Sequence, residues 1–245
     1  MSTILVPLPD RDFDTTEVAV PWRILTRAGH TVVFATEEGR APQCDPLLLR
    51  GVLFGQLGAE PEPKSFYRAL EDDAHFKAPL RWRDLDVSAY DGLVLPGGHA
   101  QGMKQYLASE VLHAKVAALW KRDIPVGAIC HGVLVLARTK DPVTGRSLLH
   151  GRRTTCLPKY MERTAYWLTA WKLGGYYRTY PAYVEDEVRE ALATPDDFER
   201  GPIHLMSRGT DRDDRAAFVV EDGRYVSARW PGDAYLFAKR FMKRL

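Results

Sequence analysis

The sequence predicts an α/β fold, a doubly wound and mostly parallel sheet with helices on both faces. Short apolar β-rich runs alternate with amphipathic segments along the whole chain of 245 residues. The connections between these runs are long enough for the crossovers that parallel strands need. A hydrophobic content of 45% with 27% charged residues is ordinary for a globular core. We therefore expect a single domain, 1–245, with an insertion at about 37–85.

The first 36 residues predict a β-α-β unit. An apolar run at 3–8 is followed by an amphipathic segment at 15–28, which Gly29 closes, and then by a second buried strand at 30–36. The next stretch, 37–63, contains many Gly, Pro and Glu residues and breaks the alternation, so we interpret it as an insertion beside the sheet.

Regular alternation returns after the insertion. The predicted elements of the middle region are a helical stretch at about 64–74, a strand at 91–96 ending in P-G-G-H, a helix at 109–122, a strand at 124–130 and a helix directly after it. The predicted elements of the last third are a short strand R-R-T-T-C-L at 152–157, helices at 160–173 and 185–192, a hairpin turning at Asp222-Gly223 and a final helix at 232–244.

Composition narrows the class of function. The formal net charge is +2, from 34 basic and 32 acidic residues without long blocks of one sign, so we expect no nucleic-acid partner. No apolar run approaches the 18 residues of a membrane span, so we expect no membrane partner. The three cysteines are widely spaced and include no C-x-x-C pair, which fits a reducing, cytoplasmic compartment. Small-molecule chemistry remains the best expectation.

The stretch G-A-I-C-H-G, 127–132, has the features of a nucleophile elbow. Cys130 is predicted at the carboxyl end of a strand that turns at once into a helix, and Gly127 and Gly132 permit a tight turn. Amides and the dipole at the start of that helix are expected to lower the thiol pKa. A cysteine in an apolar run can also be a small buried hydrophobe. We favour that interpretation only for the other two cysteines.

Three motifs together resemble the ThiJ/PfpI superfamily, within the flavodoxin-like fold of class I glutamine amidotransferases. They are the elbow G-A-I-C-H-G, the strand and turn Y-D-G-L-V-L-P-G-G-H, and the acidic residue at the first helix start in D-F-D-T-T-E-V-A-V-P-W. The segments F-K-A-P-L-R-W-R-D-L, E-D-E-V and V-S-A-R-W-P-G-D-A resemble the branch that holds heat-shock chaperones and glutathione-independent glyoxalases. The resemblance implies an enzyme without a cofactor that forms a homodimer.

The resemblance also implies roles for four side chains. Cys130 would be the nucleophile, Glu17 the carboxyl that contacts its sulfur, His131 the general acid or base, and Glu162 the acid that orients this histidine. Glu17 could instead form a capping box with Asp14, and Glu162 could be an exposed acid in the first turn of a helix. If Glu17 faces the sulfur, the two groups should share one proton, because neighbouring negative charges raise a pKa.

Backbone groups near the elbow complete the predicted site. The amides of His131 and Gly98 would be the oxyanion donors, and Gly97 and His99 would line the substrate side of the same turn. His99 could also be an ordinary loop histidine. The sequence has no H-x-H or H-E-x-x-H spacing, so we predict no metal site.

The leading expectation is therefore a cysteine-dependent enzyme acting on small reactive carbonyls. It would convert methylglyoxal to lactate in the manner of a glyoxalase III, or would act as a deglycase. One alternative is a cysteine hydrolase or peptidase of the PfpI type; an α/β-hydrolase version would need His204 as its histidine. Another is a holdase chaperone or redox sensor that uses oxidation of Cys130, with an exposed apolar patch at about 47–54. A glutamine amidotransferase is disfavoured because that family has a glycine and then a glutamine after the nucleophile, where this chain has His131, Gly132 and Val133.

Overall fold

A seven-stranded sheet forms the centre of the molecule. The computed structural model describes residues 1–51, 57–203 and 207–245. Its strands are β1 (Thr3–Pro7), β2 (Arg11–Phe13), β3 (Thr31–Thr36), β4 (Gln43–Cys44), β5 (Leu80–Arg81), β6 (Gly92–Leu95), β7 (Val126–Ile129), β8 (Val219–Asp222) and β9 (Tyr225–Ala228). The main sheet has the order β5-β3-β1-β6-β7-β9-β8, and β2 pairs with β4 separately. Every neighbouring pair is parallel except β8 with β9, which confirms the predicted mostly parallel sheet.

Helices cover both faces of the sheet. They are α1 (Thr15–Arg27), α2 (Pro46–Arg50), α3 (Pro61–Leu70), α4 (Ala74–Lys77), α5 (Met103–Leu107), α6 (Glu110–Lys121), α7 (Val133–Arg138), α8 (Lys159–Leu173), α9 (Val184–Ala191) and α10 (Ala234–Met242). Successive strand residues point to opposite faces, and all four residues of both β6 and β7 are buried. α1 packs against α3 and α10, whereas α7 packs against α5, α6 and α9. The described helices include none that is long and apolar enough to cross a bilayer.

The parallel register brings three chain segments to one edge of the sheet. Ile4 of β1 pairs with Gly92 of β6, and Leu95 of β6 pairs with Ala128 of β7. The segments that follow these three strands therefore emerge side by side at the carboxyl edge, where ligands bind in open α/β sheets. These segments carry the first turn of α1, the P-G-G-H turn and the elbow.

One predicted strand needs correction. The predicted strand R-R-T-T-C-L does not form, since only Thr154 makes an isolated bridge, to Phe198, and the Thr155 amide donates to the Ser227 hydroxyl instead of to a backbone carbonyl. The predicted insertion also contributes to the main sheet. Near its end it forms β5, an edge strand that pairs with β3.

Candidate active site

Cys130 lies at the end of β7, in a backbone conformation that confirms the predicted elbow. Its φ of 57° is in the left-handed region that side chains other than glycine rarely adopt. A short 3₁₀ turn, Cys130–Gly132, leads directly into α7. A Cβ on Gly132 would lie 2.0 Å from the Leu95 carbonyl oxygen, so only glycine allows the turn to pack this closely against β6. The Cys130 side chain is fully buried.

Glu17 faces the elbow from the first turn of α1. Its Oε2 accepts a 2.7 Å hydrogen bond from the Gly97 amide, and the residue is fully buried. Asp14 caps the helix alone, accepting from the Thr16 and Glu17 amides, while its own amide donates to the Gly97 carbonyl. The reciprocal capping box is therefore absent here. Glu17 Oε1 has no hydrogen-bond partner among the described residues.

Gly97 is the point where the groups of the site meet. A Cβ at this position would lie 2.7 Å from the His131 amide nitrogen, 2.9 Å from Glu17 Oε2 and 3.0 Å from Cys130 Cβ. The Cys130 side chain, the Glu17 carboxyl and the His131 backbone amide thus surround one residue that has no side chain. The structure brings together Cys130, Glu17, His131 and Gly97, and their catalytic roles stay a prediction.

His131 and His99 lie next to the sulfur. The Nδ1 atom of His131 is 3.5 Å from Cys130 Sγ. The His99 and His131 rings form an edge-to-face pair with centroids 4.8 Å apart. Burial lowers the pKa of His131 well below its ordinary value, with His99 and Arg138 acting in the same direction, and burial lowers the pKa of His99 to about 4. Both imidazoles are therefore neutral at neutral pH.

Burial dominates the charge state of the carboxyl and the thiol. It raises the pKa of Cys130 and of Glu17 well above their ordinary values. The negative charge of Glu17 raises the pKa of Cys130 further, and that of Asp14 raises the pKa of Glu17, whereas the Cys130 thiol lowers the pKa of Glu17. The His131 amide favours the thiolate, but this contribution is smaller. The sequence-based expectation of a lowered thiol pKa is thus wrong for the closed site, because the sulfur is removed from solvent. At most one of the two groups carries charge near neutral pH, as expected for a pair that shares a proton.

Glu162 and Gly98 stand apart from this group. Burial raises the pKa of Glu162 to about 7. Its carboxyl accepts from Arg178 at 3.4 Å and from the Val184 amide at 3.0 Å. No hydrogen bond within the described ranges joins it to His131, so the predicted orienting role is not supported: the first turn of α8 faces the start of α9. Gly98 packs against the segment of β2, where a Cβ would lie 2.6 Å from the Asp12 carbonyl oxygen. Its role as an oxyanion donor stays a prediction.

A tyrosine pair that the sequence analysis missed packs beside His99, with the ring of Tyr177 against the imidazole and Tyr176 against Tyr177. Tyr176 and Tyr177 donate hydrogen bonds to the two oxygens of Asp45, at 3.1 and 3.2 Å. The Tyr177 ring meets the His99 ring edge-on at 5.9 Å, and the Thr179 hydroxyl donates to the His99 carbonyl at 2.6 Å. The cluster of tyrosines after α8 is the sequence signal that could have indicated an aromatic contact with the site.

Three ligand-type side chains converge at the elbow. One donor atom from each of His99, Cys130 and His131 lies within 4.8 Å of the others. The sequence predicted no metal site, because these residues are separated in the chain without a familiar spacing. His204, the histidine of the hydrolase alternative, lies outside the described residues.

Comparisons with known proteins agree with this fold. An uncharacterized protein of Schizosaccharomyces pombe is 27% identical over 241 residues, covering 96% of this chain and 80% of its own. A Pyrococcus abyssi protein named a deglycase is 26% identical over 233 residues, covering 95% of this chain and 93% of its own. The crystal structure of Candida albicans glyoxalase III superposes with a TM-score of 0.72 at 20% identity, over 100% of this chain and 97% of that one.

Family membership follows from the length of the sequence match. The model of the family described as ThiJ/PfpI family-like matches residues 8–202, which include the first turn of α1, the P-G-G-H turn and the elbow. The mostly parallel seven-stranded sheet is the one that the similar structures share. The chain belongs to the ThiJ/PfpI-like family.

Proposed function

We propose that the protein is a cofactor-free enzyme that converts small reactive carbonyls, with methylglyoxal as the model substrate and lactate as the product. The observation that carries the proposal is the arrangement around Gly97, where Cys130, Glu17 and the His131 amide meet at the carboxyl edge of the sheet. Relatives named deglycases and a structural neighbour named glyoxalase III support chemistry on carbonyl compounds.

The reaction begins at the sulfur. The Cys130 proton passes to the Glu17 carboxylate, and the thiolate attacks the aldehyde carbon, so that a C–S bond forms as the C=O π bond breaks. Glu17, now in its acid form, donates that proton to the resulting oxyanion, which gives a hemithioacetal and leaves His131 neutral. The His131 amide, which faces Gly97, would donate to that oxygen.

A proton shift and a hydrolysis complete the conversion. His131, whose Nδ1 is 3.5 Å from the sulfur, then removes the C–H proton of the hemithioacetal. Return of a proton to the neighbouring carbon through an enediol gives a thioester of lactate. Water then cleaves the C–S bond and restores the thiol, so the balance is methylglyoxal plus water to lactic acid. A neutral imidazole at neutral pH is the form that this step requires.

Burial favours a small free carbonyl over a glycated protein. The Cys130 side chain has 0% exposure and the His131 residue 1%, whereas His99 is half-buried. A small aldehyde needs only a local movement near His99 and Tyr177 to reach the sulfur. A protein-bound adduct or a peptide would need a much larger opening, so the deglycase and peptidase alternatives are less favoured for macromolecular substrates.

The chaperone alternative receives little support from the described residues. Leu47, Leu48 and Leu49 of the predicted apolar patch are half-buried, and its remaining residues at 52–54 lie outside the described residues. Oxidation of Cys130 as a signal would meet the same burial that restricts substrates.

The test is lactate formation from methylglyoxal without glutathione. Wild type and Cys156→Ala, which removes a buried cysteine elsewhere, should turn over, whereas Cys130→Ala and Glu17→Gln should lose activity by about 10²-fold or more. Absence of turnover by folded wild-type protein would refute the proposal. Hydrolysis of an ester or peptide with the same dependence on Cys130 would identify the hydrolase instead.

A further inference from the structure

The side chains of His99, Cys130 and His131 form a set of donors that can surround a single cation. Their donor atoms come from two loops at the carboxyl edge of the sheet and lie within 4.8 Å of one another. We propose that these three residues form a binding site for a zinc-class divalent cation, and that the bound cation reversibly blocks the nucleophile. The binding itself does not depend on the proposed function; only its inhibitory consequence does.

The distances suit a tetrahedral ion. Zn–S and Zn–N bonds of about 2.3 and 2.0–2.1 Å at a tetrahedral angle place sulfur and nitrogen about 3.5 Å apart. Cys130 Sγ and His131 Nδ1 are separated by 3.5 Å, so they already occupy one edge of such a tetrahedron. The third donor, on His99, needs to approach by about 1 Å, which a small side-chain rotation supplies. Half-burial of His99 provides the entry path.

The chemistry of the donors selects the cation. One thiolate and two imidazoles favour Zn²⁺, Co²⁺ and similar ions over Mg²⁺ and Ca²⁺, which prefer oxygen ligands. Binding replaces the thiol proton, so that Cys–SH and Zn²⁺ give a Zn–S bond and one released proton. Glu17 Oε1 adds a buried oxygen without a hydrogen-bond partner among the described residues.

Inhibition follows from the shared sulfur. A thiolate bound to Zn²⁺ has its reactive lone pair directed at the metal, and it is a poorer nucleophile than the free thiolate. The cation and the carbonyl substrate would therefore compete, and a chelator would restore turnover. This is the opposite of a catalytic zinc, which retains an open position to activate water.

The experiment uses Co²⁺ as a spectroscopic probe on the full chain. Titration of wild type should give one bound ion per chain with a thiolate-to-cobalt charge-transfer absorption, which Zn²⁺ removes by displacement. The absorption should disappear in Cys130→Ser, and affinity should fall at least tenfold in both His99→Ala and His99→Gln. His75→Ala, at an exposed histidine on α4, should bind as wild type does.

Two results would overturn the inference. The first is a charge-transfer absorption that persists in Cys130→Ser, and the second is an unchanged affinity in both His99 variants with folding verified by circular dichroism. The outcome of the cobalt titration can be distinguished from that of the methylglyoxal assay. Cobalt binding without methylglyoxal turnover retains this inference and refutes the function, and turnover without cobalt binding at Cys130 does the reverse.

Discussion

Adding a single methyl group at Gly97 should separate the groups of the site without changing their chemistry. In Gly97→Ala, the new Cβ would lie 2.7 Å from the His131 amide nitrogen, 2.9 Å from Glu17 Oε2 and 3.0 Å from Cys130 Cβ, whereas ordinary contacts begin at 3.4 Å. The backbone nitrogen cannot rotate away as a side chain can. The Glu17 carboxyl and the elbow must therefore move apart by about 0.5–1 Å.

The size of the effect follows from this displacement. A misplacement of about 1 Å costs about 10²-fold in rate when reacting groups must be aligned. Overpacking of a buried position costs about 1–3 kcal/mol in the free energy of unfolding. We therefore expect kcat for methylglyoxal to fall about 10²-fold, measured as lactate formation and corrected for the folded fraction from urea unfolding.

Gly92→Ala is the matched control. Gly92 is a buried glycine at the start of β6, the strand that leads to Gly97, and its added Cβ would lie 3.0 Å from side-chain atoms of Leu245 and Phe241. This variant should lose stability but retain kcat per folded molecule. The reasoning would be refuted by Gly97→Ala retaining kcat within about threefold, or by Gly92→Ala losing as much.

Further predictions concern the two tyrosines beside His99 and the buried carboxyl of Glu162. Asp45→Asn keeps only one acceptor oxygen for the hydroxyls of Tyr176 and Tyr177, and Tyr177→Phe removes one of the two hydroxyls. Because either change should loosen the tyrosines beside His99, Cys130 should react several-fold faster with iodoacetamide in both variants. An unchanged alkylation rate, measured by peptide mass spectrometry, would contradict the idea that the tyrosines restrict access to Cys130. Glu162 has its pKa raised from 4.5 to about 7, so the folded state holds this proton more tightly. This group stabilises the folded state by up to about 3 kcal/mol in the free energy of unfolding. The contribution is fully present below about pH 4.5 and is lost as the pH rises through about 7. Urea unfolding of Glu162→Gln should lack this dependence, and an identical pH profile for both proteins would refute it.

The sheet and the elbow could be predicted because both are local patterns. The spacing and length of the apolar runs indicate the strands and the helical crossovers between them. The glycines beside Cys130 indicate a tight turn from a strand into a helix. The capping alternative for Glu17 could not be resolved from spacing, since Asp14 and Glu17 stand three apart in either case. Only the tertiary contact with Gly97 decides it.

The rest depended on contacts between distant parts of the chain. The hydrogen bonds from Tyr176 and Tyr177 to Asp45 span more than 130 residues, which no local pattern reports. The helix start that is visible in the sequence predicts a lowered pKa for Cys130. The structure gives a raised pKa, because other elements of the fold bury the sulfur. The role of Glu162 was inferred from its distance along the chain from Cys130. In the structure its carboxyl bonds to Arg178 and to the start of α9, because α8 packs against α9.

The central claim is that the Cys130 thiol and the Glu17 carboxyl act as one unit. A double-mutant cycle on methylglyoxal turnover, with Cys130→Ala, Glu17→Gln and the combination, measures this most directly. The account predicts that the combined variant is no less active than Cys130→Ala, because the carboxyl has no task once the sulfur is gone. Losses that multiply in the double variant would contradict it.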